Sequence, residues 1–355
     1  MLVGTYTNGS SKGIYVYKFN SANGESKQVG FVKSSNPSFI TVSPNEKYVY
    51  AVNEDADSAG SGGRVSSFSF DKITGLLTPI NQKPSNGNHP CYVAIDKSGR
   101  WVIAGNYSSG TVAVLPVLKD GSLNNPVTTV QHYGKSINTE RQNSPHVHAT
   151  VLSPDNKFLF VPDLGLDKIM IYRFNKRRGK LKPATQPFIV TAPGTGPRHF
   201  VFHPNLQYAY LAEELTGNIA VFRYLNVAGH LVLIQNISTL PSGKTGTAGS
   251  ADIHVSVDGK FLYASNRGTH NSIAIFAVDK ETGKLTLVGH QSTMGKTPRN
   301  FNFDPSGNFL LVANQNSDEI VIFKIDRNTG LLTDTEKRIA VSKPVCIKWI
   351  EQENK

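Results

Sequence analysis

The stretch SPHVHATVLSPD holds two histidines two positions apart, His146 and His148. In an extended strand this spacing directs both side chains to one face. Such a pair can bind a metal ion, and an imidazole with an ordinary pKa of about 6.5 can also act as a general base. The third interpretation is structural, because a histidine at a strand start often serves only as a hydrogen-bonded residue. The pair alone is compatible with all three.

Charged residues of complementary types occur further along the chain. GPRH contains Arg198 and His199, AEEL contains Glu214, SNRG contains Arg267, and TPRN contains Arg299. Guanidinium groups bind phosphate or carboxylate through paired hydrogen bonds. This combination favours a pocket for a small anion, provided that the fold brings the stretches together.

The elements that would position these residues form a repeat. NPSFITVSPNEKYVYAVNE at 36–54 recurs at intervals of roughly 50 residues, for example as GPRHFVFHPNLQYAYLAEE at 196–214. A truncated seventh copy, KPVCIKWI, begins at Lys343. Each unit holds four short runs rich in β-branched and aromatic residues, separated by turns of Gly, Asn, Asp or Ser. This pattern predicts an all-β protein, a seven-bladed β-propeller of four-stranded antiparallel blades.

The two ends of the chain complete the predicted ring. The seventh copy has only its first strand, and the N-terminal stretches LVGTYT, IYVYKF and KQVGFVK supply the other three. A blade shared by both ends closes the ring and removes its open sheet edges. We therefore expect a single propeller domain spanning residues 1–355.

The propeller geometry predicts which residues meet at one mouth of the ring. Residues just after the start of each first strand should lie beside those at the end of each second strand. One position after the starts stand Ser38, Cys91, His148, Arg198, Ala251, Arg299 and Val345. The ends of the second strands supply Glu54, Tyr107, Leu164, Glu214, Arg267, Gln315 and Tyr6. A structural position would keep one residue type in every repeat, so the charged departures are the candidates for function.

Neighbouring positions complete the expected pocket. We expect substrate contacts from His146, His199, Arg299, Asp163, Asp252 and His254. Three Gly-, Ser- or Pro-containing loops before first strands should wall the pocket: 131–146, 191–198 and 241–252. A structural interpretation also stays open, in which Arg198 and Arg267 bridge blades through nearby carboxylates.

Bulk composition excludes several function classes. The net charge of +11 is spread over 355 residues, with one cluster at 176–178, so nucleic-acid binding is not expected. No apolar run of about 18 residues exists, so no membrane span is expected. Cys91 and Cys346 give neither a metal-binding spacing nor a disulfide framework. The start MLVGTYT predicts a cytoplasmic protein, or a periplasmic or secreted one whose signal was removed.

These stretches resemble the seven-bladed propeller lactonases of the 6-phosphogluconolactonase family, which also contains the fungal carboxymuconate cyclase. The similarity covers nearly the whole chain and includes SPHVHATVLSPD, GTGPRHFVFHPN, YLAEEL and ADIHVSVDGKFLYASNRG. The family's proposed catalytic group falls on His148, Arg198, Glu214 and Arg267. Many relatives have NEL where this chain has EEL, so Glu213 is a second candidate for the functional carboxylate.

The resemblance implies hydrolysis of a sugar lactone such as 6-phosphogluconolactone, in the pentose phosphate pathway. His148 would then be a general base for water, and arginines would bind the substrate anion and the oxyanion. The expected partner is a small anionic lactone, and no cofactor is expected. Alternatives are a muconate-type lactone cyclase and a non-catalytic ligand- or protein-binding propeller. Ca²⁺-assisted hydrolysis is a further alternative, although three arginines at the mouth would repel the cation.

Overall fold

Short runs of β-branched and aromatic residues form 28 strands in the computed structural model, which describes residues 1–241, 243 and 248–350. The pocket wall expected at 241–252 therefore lies partly outside the described residues. The first half of the chain forms β1 (Leu2–Thr5), β2 (Gly13–Phe19), β3 (Ser26–Lys33), β4 (Ile40–Val42), β5 (Tyr48–Asn53), β6 (Arg64–Asp71), β7 (Leu76–Pro84), β8 (Pro90–Ile95), β9 (Trp101–Asn106), β10 (Thr111–Pro116), β11 (Thr128–Gln131), β12 (Val151–Leu152), β13 (Phe158–Asp163) and β14 (Lys168–Asn175). The second half forms β15 (Lys180–Val190), β16 (Pro197–Phe202), β17 (Tyr208–Glu213), β18 (Asn218–Leu225), β19 (His230–Ser238), β20 (Ser250–Val255), β21 (Phe261–Asn266), β22 (Ser272–Val278), β23 (Leu285–Ser292), β24 (Pro298–Phe303), β25 (Phe309–Asn314), β26 (Glu319–Ile325), β27 (Leu332–Ala340) and β28 (Pro344–Lys348).

The strands pair into seven four-stranded antiparallel sheets. Blades 1 to 6 each use four consecutive strands, beginning with β4–β7 and ending with β24–β27. Blade 7 has the order β28-β1-β2-β3, so one strand comes from the C-terminal part of the chain and three come from the N-terminal part. The predicted seven-bladed, all-β propeller with a shared blade is confirmed.

Apolar side chains fill the space between neighbouring blades. Every residue of the second strands β9, β13, β17, β21 and β25 is buried, because both faces of each strand are covered. Phe158, Phe160 and Phe222, for example, belong to one cluster between blades 3 and 4. The first strands contact each other around the axis, as β16 does β20 and β24 does β28. Their polar residues are thereby collected in the centre of the ring.

A bulge follows the start of the first strand in five blades. In blade 4 the segment from Pro197 to Phe200 has one residue more than the segment of β17 that it pairs with. Equivalent shifts follow Pro90, Ser250, Pro298 and Pro344. Successive side chains of a regular strand point to opposite faces, and a bulge re-aims them. This local break explains how Arg198 and His199, which are adjacent in sequence, can both contact polar residues near the axis.

Candidate active site

Glu214 lies at the end of the channel where the first strands begin, which we call the upper mouth. Its Oε2 atom is 3.0 Å from Arg198 Nε and 3.0 Å from Arg267 Nη2. Its Oε1 atom accepts a hydrogen bond of 2.7 Å from Arg141 Nη2. Burial opposes ionisation, but the arginines, foremost Arg267 and Arg198, hold the pKa of Glu214 well below its usual range. We call these four residues the Glu214 cluster, and the low pKa keeps its carboxylate ionised near neutral pH.

His148 lies beside this cluster and is buried. Its Nε2 atom is 3.7 Å from Glu214 Oε2, and its Nδ1 atom is 3.7 Å from Cys91 Sγ. Burial, followed by the charge of Arg198, lowers the pKa of His148 well below 6.5. The imidazole is therefore neutral near pH 7, which leaves it a lone pair that can accept a proton.

A second polar group lies around Asp252, where the carboxylate joins two histidines. Asp252 Oδ1 is 2.7 Å from His199 Nδ1, and Asp252 Oδ2 is 3.0 Å from His254 Nε2. Asn300 Nδ2 also donates to Oδ2. The bond to Asp252 places the proton of neutral His199 on Nδ1, so Nε2 is an acceptor. Burial, then Arg198, lowers the pKa of His199 to about 4, although Asp252 opposes the shift.

Arg299 has a guanidinium group that is available for an external anion. It stacks 5.2 Å from the centre of the Tyr6 ring, and its Nη2 atom lies 4.0 Å from Glu54 Oε1. Tyr6 instead donates the hydrogen bond that Glu54 accepts, at 2.9 Å. Across the described part of the chain, no residue accepts a hydrogen bond from the Arg299 side chain, which is 19% exposed. Its donors are free for a phosphate or carboxylate.

The structure brings together the four residues predicted as catalytic, while two expected substrate contacts lie to the side. The His146 ring stacks on Tyr107 with 4.4 Å between centroids. Asp163 accepts hydrogen bonds from His132 Nδ1 at 2.7 Å and from the backbone N–H of His146 at 2.8 Å. Asp163 thus joins blades 2 and 3, and it is linked to the mouth through the backbone N–H of His146.

Asp163 occupies a position that is structural in other blades. Asn106, Asn266 and Asn314 each donate to a carbonyl at the outer end of the preceding blade, namely Ser85, Thr239 and Thr293. Glu213 belongs to the same row and hydrogen-bonds Thr195, while burial raises its pKa to about 7. Between the two adjacent glutamates, Glu214 is the one that contacts the arginines.

Sequence reasoning missed Arg141. It lies in the lengthened loop 131–146, where the repeat gives no register, so no alignment could place its side chain. The available signal was an arginine in the longest of the three predicted walls. Tyr6, Glu54 and Tyr107 stand in the aligned rows but are not among the residues expected to be catalytic or to bind substrate.

Fold and site together define a propeller with a charged mouth suited to a small anionic ligand. The chain belongs to the seven-bladed propeller lactonases, since the family model described as Lactonase, 7-bladed beta-propeller, matches residues 1–349. The 6-phosphogluconolactonase of Bacillus subtilis is 38% identical, over 99% of this chain and 98% of the relative. The structure of the Pseudomonas aeruginosa periplasmic gluconolactonase matches with a TM-score of 0.92 and 41% identity, covering 97% of this chain and 96% of that one. An uncharacterized Lactococcus lactis protein is 38% identical over 98% of both chains.

Other features of the described residues bear on the remaining expectations. The structure contains no helix long and apolar enough to cross a membrane within the described ranges. Among the same residues, no group of three or more His, Cys, Asp or Glu side chains could hold a metal ion. Cys91 and Cys346 are free and buried. A cavity of about 860 Å³ lies near the hairpin turn at Pro305, lined by Tyr17 and Trp349, and includes none of the site residues.

Proposed function

We propose that this protein hydrolyses a small anionic lactone, with 6-phosphogluconolactone-like sugar lactones as the substrate class. The observation that carries the proposal is the pairing, in one mouth, of a neutral histidine with a guanidinium that has free donors. His148 can take a proton, and Arg299 can hold an anion. The names of the full-length relatives support the same reaction class.

In this proposal a water molecule attacks the lactone carbonyl carbon as His148 accepts its proton. The negative charge that develops on the carbonyl oxygen is stabilised by Arg198 or Arg267, whose guanidinium groups Glu214 holds in place. The bond between the carbonyl carbon and the ring oxygen then breaks, and His148 returns the proton to that oxygen. The product is a hydroxy acid. His199 Nε2 is an acceptor that can orient the water or a substrate hydroxyl.

Replacing His148 tests the assignment. General-base catalysis contributes about 10²–10⁴-fold, so His148→Gln should lower kcat for the lactone by that range without loss of folding. Stopped-flow recording with a pH indicator separates the enzymatic rate from spontaneous ring opening. His203→Gln is the matched control, because His203 lies in a turn and bonds Gly259 O, far from the mouth in the fold. An unchanged rate in His148→Gln would contradict the assignment.

The substrate panel also tests the alternatives. It should contain phosphorylated and unphosphorylated sugar lactones together with a muconolactone, whose turnover would favour the cyclase. Absence of turnover, together with a stoichiometric protein partner in a pulldown, would favour a binding propeller. We expect full activity after treatment with a chelator, and a loss restored by Ca²⁺ would reinstate metal-assisted hydrolysis.

For the cellular compartment we propose the cytoplasm. The two buried cysteines are unpaired, which suits a reducing compartment. Cell fractionation tests this, and recovery in the periplasm would place the protein with its Pseudomonas aeruginosa neighbour instead.

A further inference from the structure

Arg141 differs from the other arginines of the Glu214 cluster in its exposure and its support. Its side chain is 42% exposed, whereas that of Arg198 is 2% exposed. It reaches Glu214 from a loop rather than from a strand or strand end. Its Nη2 atom donates to Glu214 Oε1 at 2.7 Å and to the Tyr107 hydroxyl at 3.2 Å. Arg141 therefore covers the carboxylate from the solvent side.

The base of this loop is held firmly. Gln142, the next residue, is fully buried, and its Nε2 atom donates to Leu164 O at 2.8 Å and to Asp167 Oδ1 at 2.7 Å. Ser136 Oγ donates to Asp167 Oδ2 at 2.5 Å. A long side chain on a fixed base can move its end group without rearranging the loop.

Asp167 also fixes the second loop that walls the mouth. The backbone N–H groups of Gly194 and Gly196 donate to its carboxylate at 2.6 and 2.8 Å. Gly196 O in turn accepts the backbone N–H of Glu214 at 2.8 Å. One buried carboxylate thus sets the position of Arg141 relative to Glu214.

The remaining donors of Arg141 point to a ligand role. Arg198 also donates to Ala251 O, and Arg267 donates to Gly249 O, so both are held by the propeller as well as by Glu214. For Arg141, neither Nε nor Nη1 has a hydrogen-bond partner among the described residues. A guanidinium fork with one arm bound and the other free suits the exposed end of an anionic substrate.

We propose that Arg141 is a specificity-determining residue that holds the charged group of an anionic lactone at the solvent side of the mouth. The inference rests on the proposed function and deepens it. Arg299 supplies an inner anion contact, and Arg141 supplies an outer one on a movable side chain. Lysine would supply charge but not the planar fork, so Arg141→Lys should restore the function only in part.

The test compares a phosphorylated lactone with the corresponding unphosphorylated lactone. Arg141→Met should raise KM for the phosphorylated lactone by about 10–100-fold, the loss expected for a charge-assisted contact, with kcat changed by less than about threefold. For the unphosphorylated lactone KM should change far less. Arg141→Lys should fall between the wild type and Arg141→Met. Arg177→Met, an exposed arginine in the β14–β15 turn, is the control and should leave both KM values unchanged.

Two results would overturn the inference. One is an unchanged KM for the phosphorylated lactone in Arg141→Met. The other is an equal fall in kcat for both lactones at constant KM, since Arg141 would then act only through Glu214. If the wild type turns over neither lactone, the proposed function fails separately. Calorimetry with 6-phosphogluconate and gluconate then decides the inference, which requires Arg141→Met to weaken binding of the phosphorylated acid alone.

Discussion

The upper mouth and the layer around Asp252 each contain a buried carboxylate, but the two are held by different chemistry. Glu214 is bound by arginines, which stay protonated at every physiological pH. Asp252 is bound by His199, His254 and an amide, and imidazole changes its charge with pH. The Glu214 cluster therefore supplies fixed positive charge, which suits the binding of an anion. The side chains that can exchange protons are imidazoles, which lie around Asp252 and, in the case of His148, beside the Glu214 cluster.

Removing the charge of Glu214 should have the largest effect. Glu214→Gln leaves buried guanidinium groups without their counter-charge, which typically costs about 3–5 kcal/mol of stability. The guanidinium groups also lose their fixed orientation, so kcat should fall by about 10²–10³-fold. Chemical unfolding and the stopped-flow lactone assay measure the two effects.

Glu213→Gln is the matched control for this prediction. Glu213 is the adjacent residue and is also buried, but it lies in the structural row, and burial raises its pKa to about 7, so it is protonated more readily than Glu214. We expect its substitution to change kcat by less than about threefold, within the usual range for uninvolved sites. An equal fall in kcat in Glu213→Gln and Glu214→Gln would contradict the assignment of Glu214 as the functional carboxylate.

Changing Asp252 should have a smaller effect on the rate. Asp252→Asn keeps the shape but loses the charge that fixes the His199 proton on Nδ1. Loss of such an orienting partner typically costs about 10–100-fold, and we expect it in kcat with KM nearly unchanged. Nitrogen NMR shifts of the His199 ring would report the altered tautomer, which a general loss of packing would not produce. An unaltered tautomer would contradict the role given to Asp252.

Acid should destabilise the protein through protonation of His199, the histidine bonded to Asp252. His199 has a pKa of about 4 when folded and 6.5 ordinarily, so between these values the unfolded chain binds the proton more strongly. Stability present above pH 6.5 is therefore lost as the pH falls toward 4, by up to about 3 kcal/mol for this residue. His199→Gln should flatten the pH dependence of the unfolding free energy by that amount. The same slope in the variant and the wild type would contradict the shift.

Almost all of the fold could be predicted from the sequence, because the same four-strand pattern recurs in six full copies and a truncated seventh. Strand runs, tight turns and the blade shared by the chain ends all follow from alternation and self-similarity. The two rows of the mouth followed as well, since His148 and Arg198 replace residues of other types at equivalent positions. Residues that lie at equivalent positions of the repeat can thus be placed from the sequence alone.

The remainder depends on local breaks in the repeat. The bulge after Pro197 sets which way Arg198 and His199 point, and no alternation rule anticipates it. Arg141 lies where a loop has lengthened and the register is lost. Asp163 was expected to contact the substrate. Its carboxylate instead binds His132 of the preceding blade, at the place where Asn side chains of other blades bind a backbone carbonyl. The sequence alone does not show which hydrogen-bond partner such a side chain will have.

The pairing of β1 with β28 has a consequence for how the molecule is made. β1 leaves the ribosome long before its partner β28, so blade 7 stays incomplete until β28 has been made. At about 5–20 residues per second, β1 waits tens of seconds with a bare hydrogen-bonding edge. Deletion of β28 would leave all the strands of the other six blades in place, but blade 7 would lose its first strand and the ring would stay open. An unpaired strand edge can pair with another chain, so we expect the nascent protein to be most prone to aggregation before β28 pairs with β1.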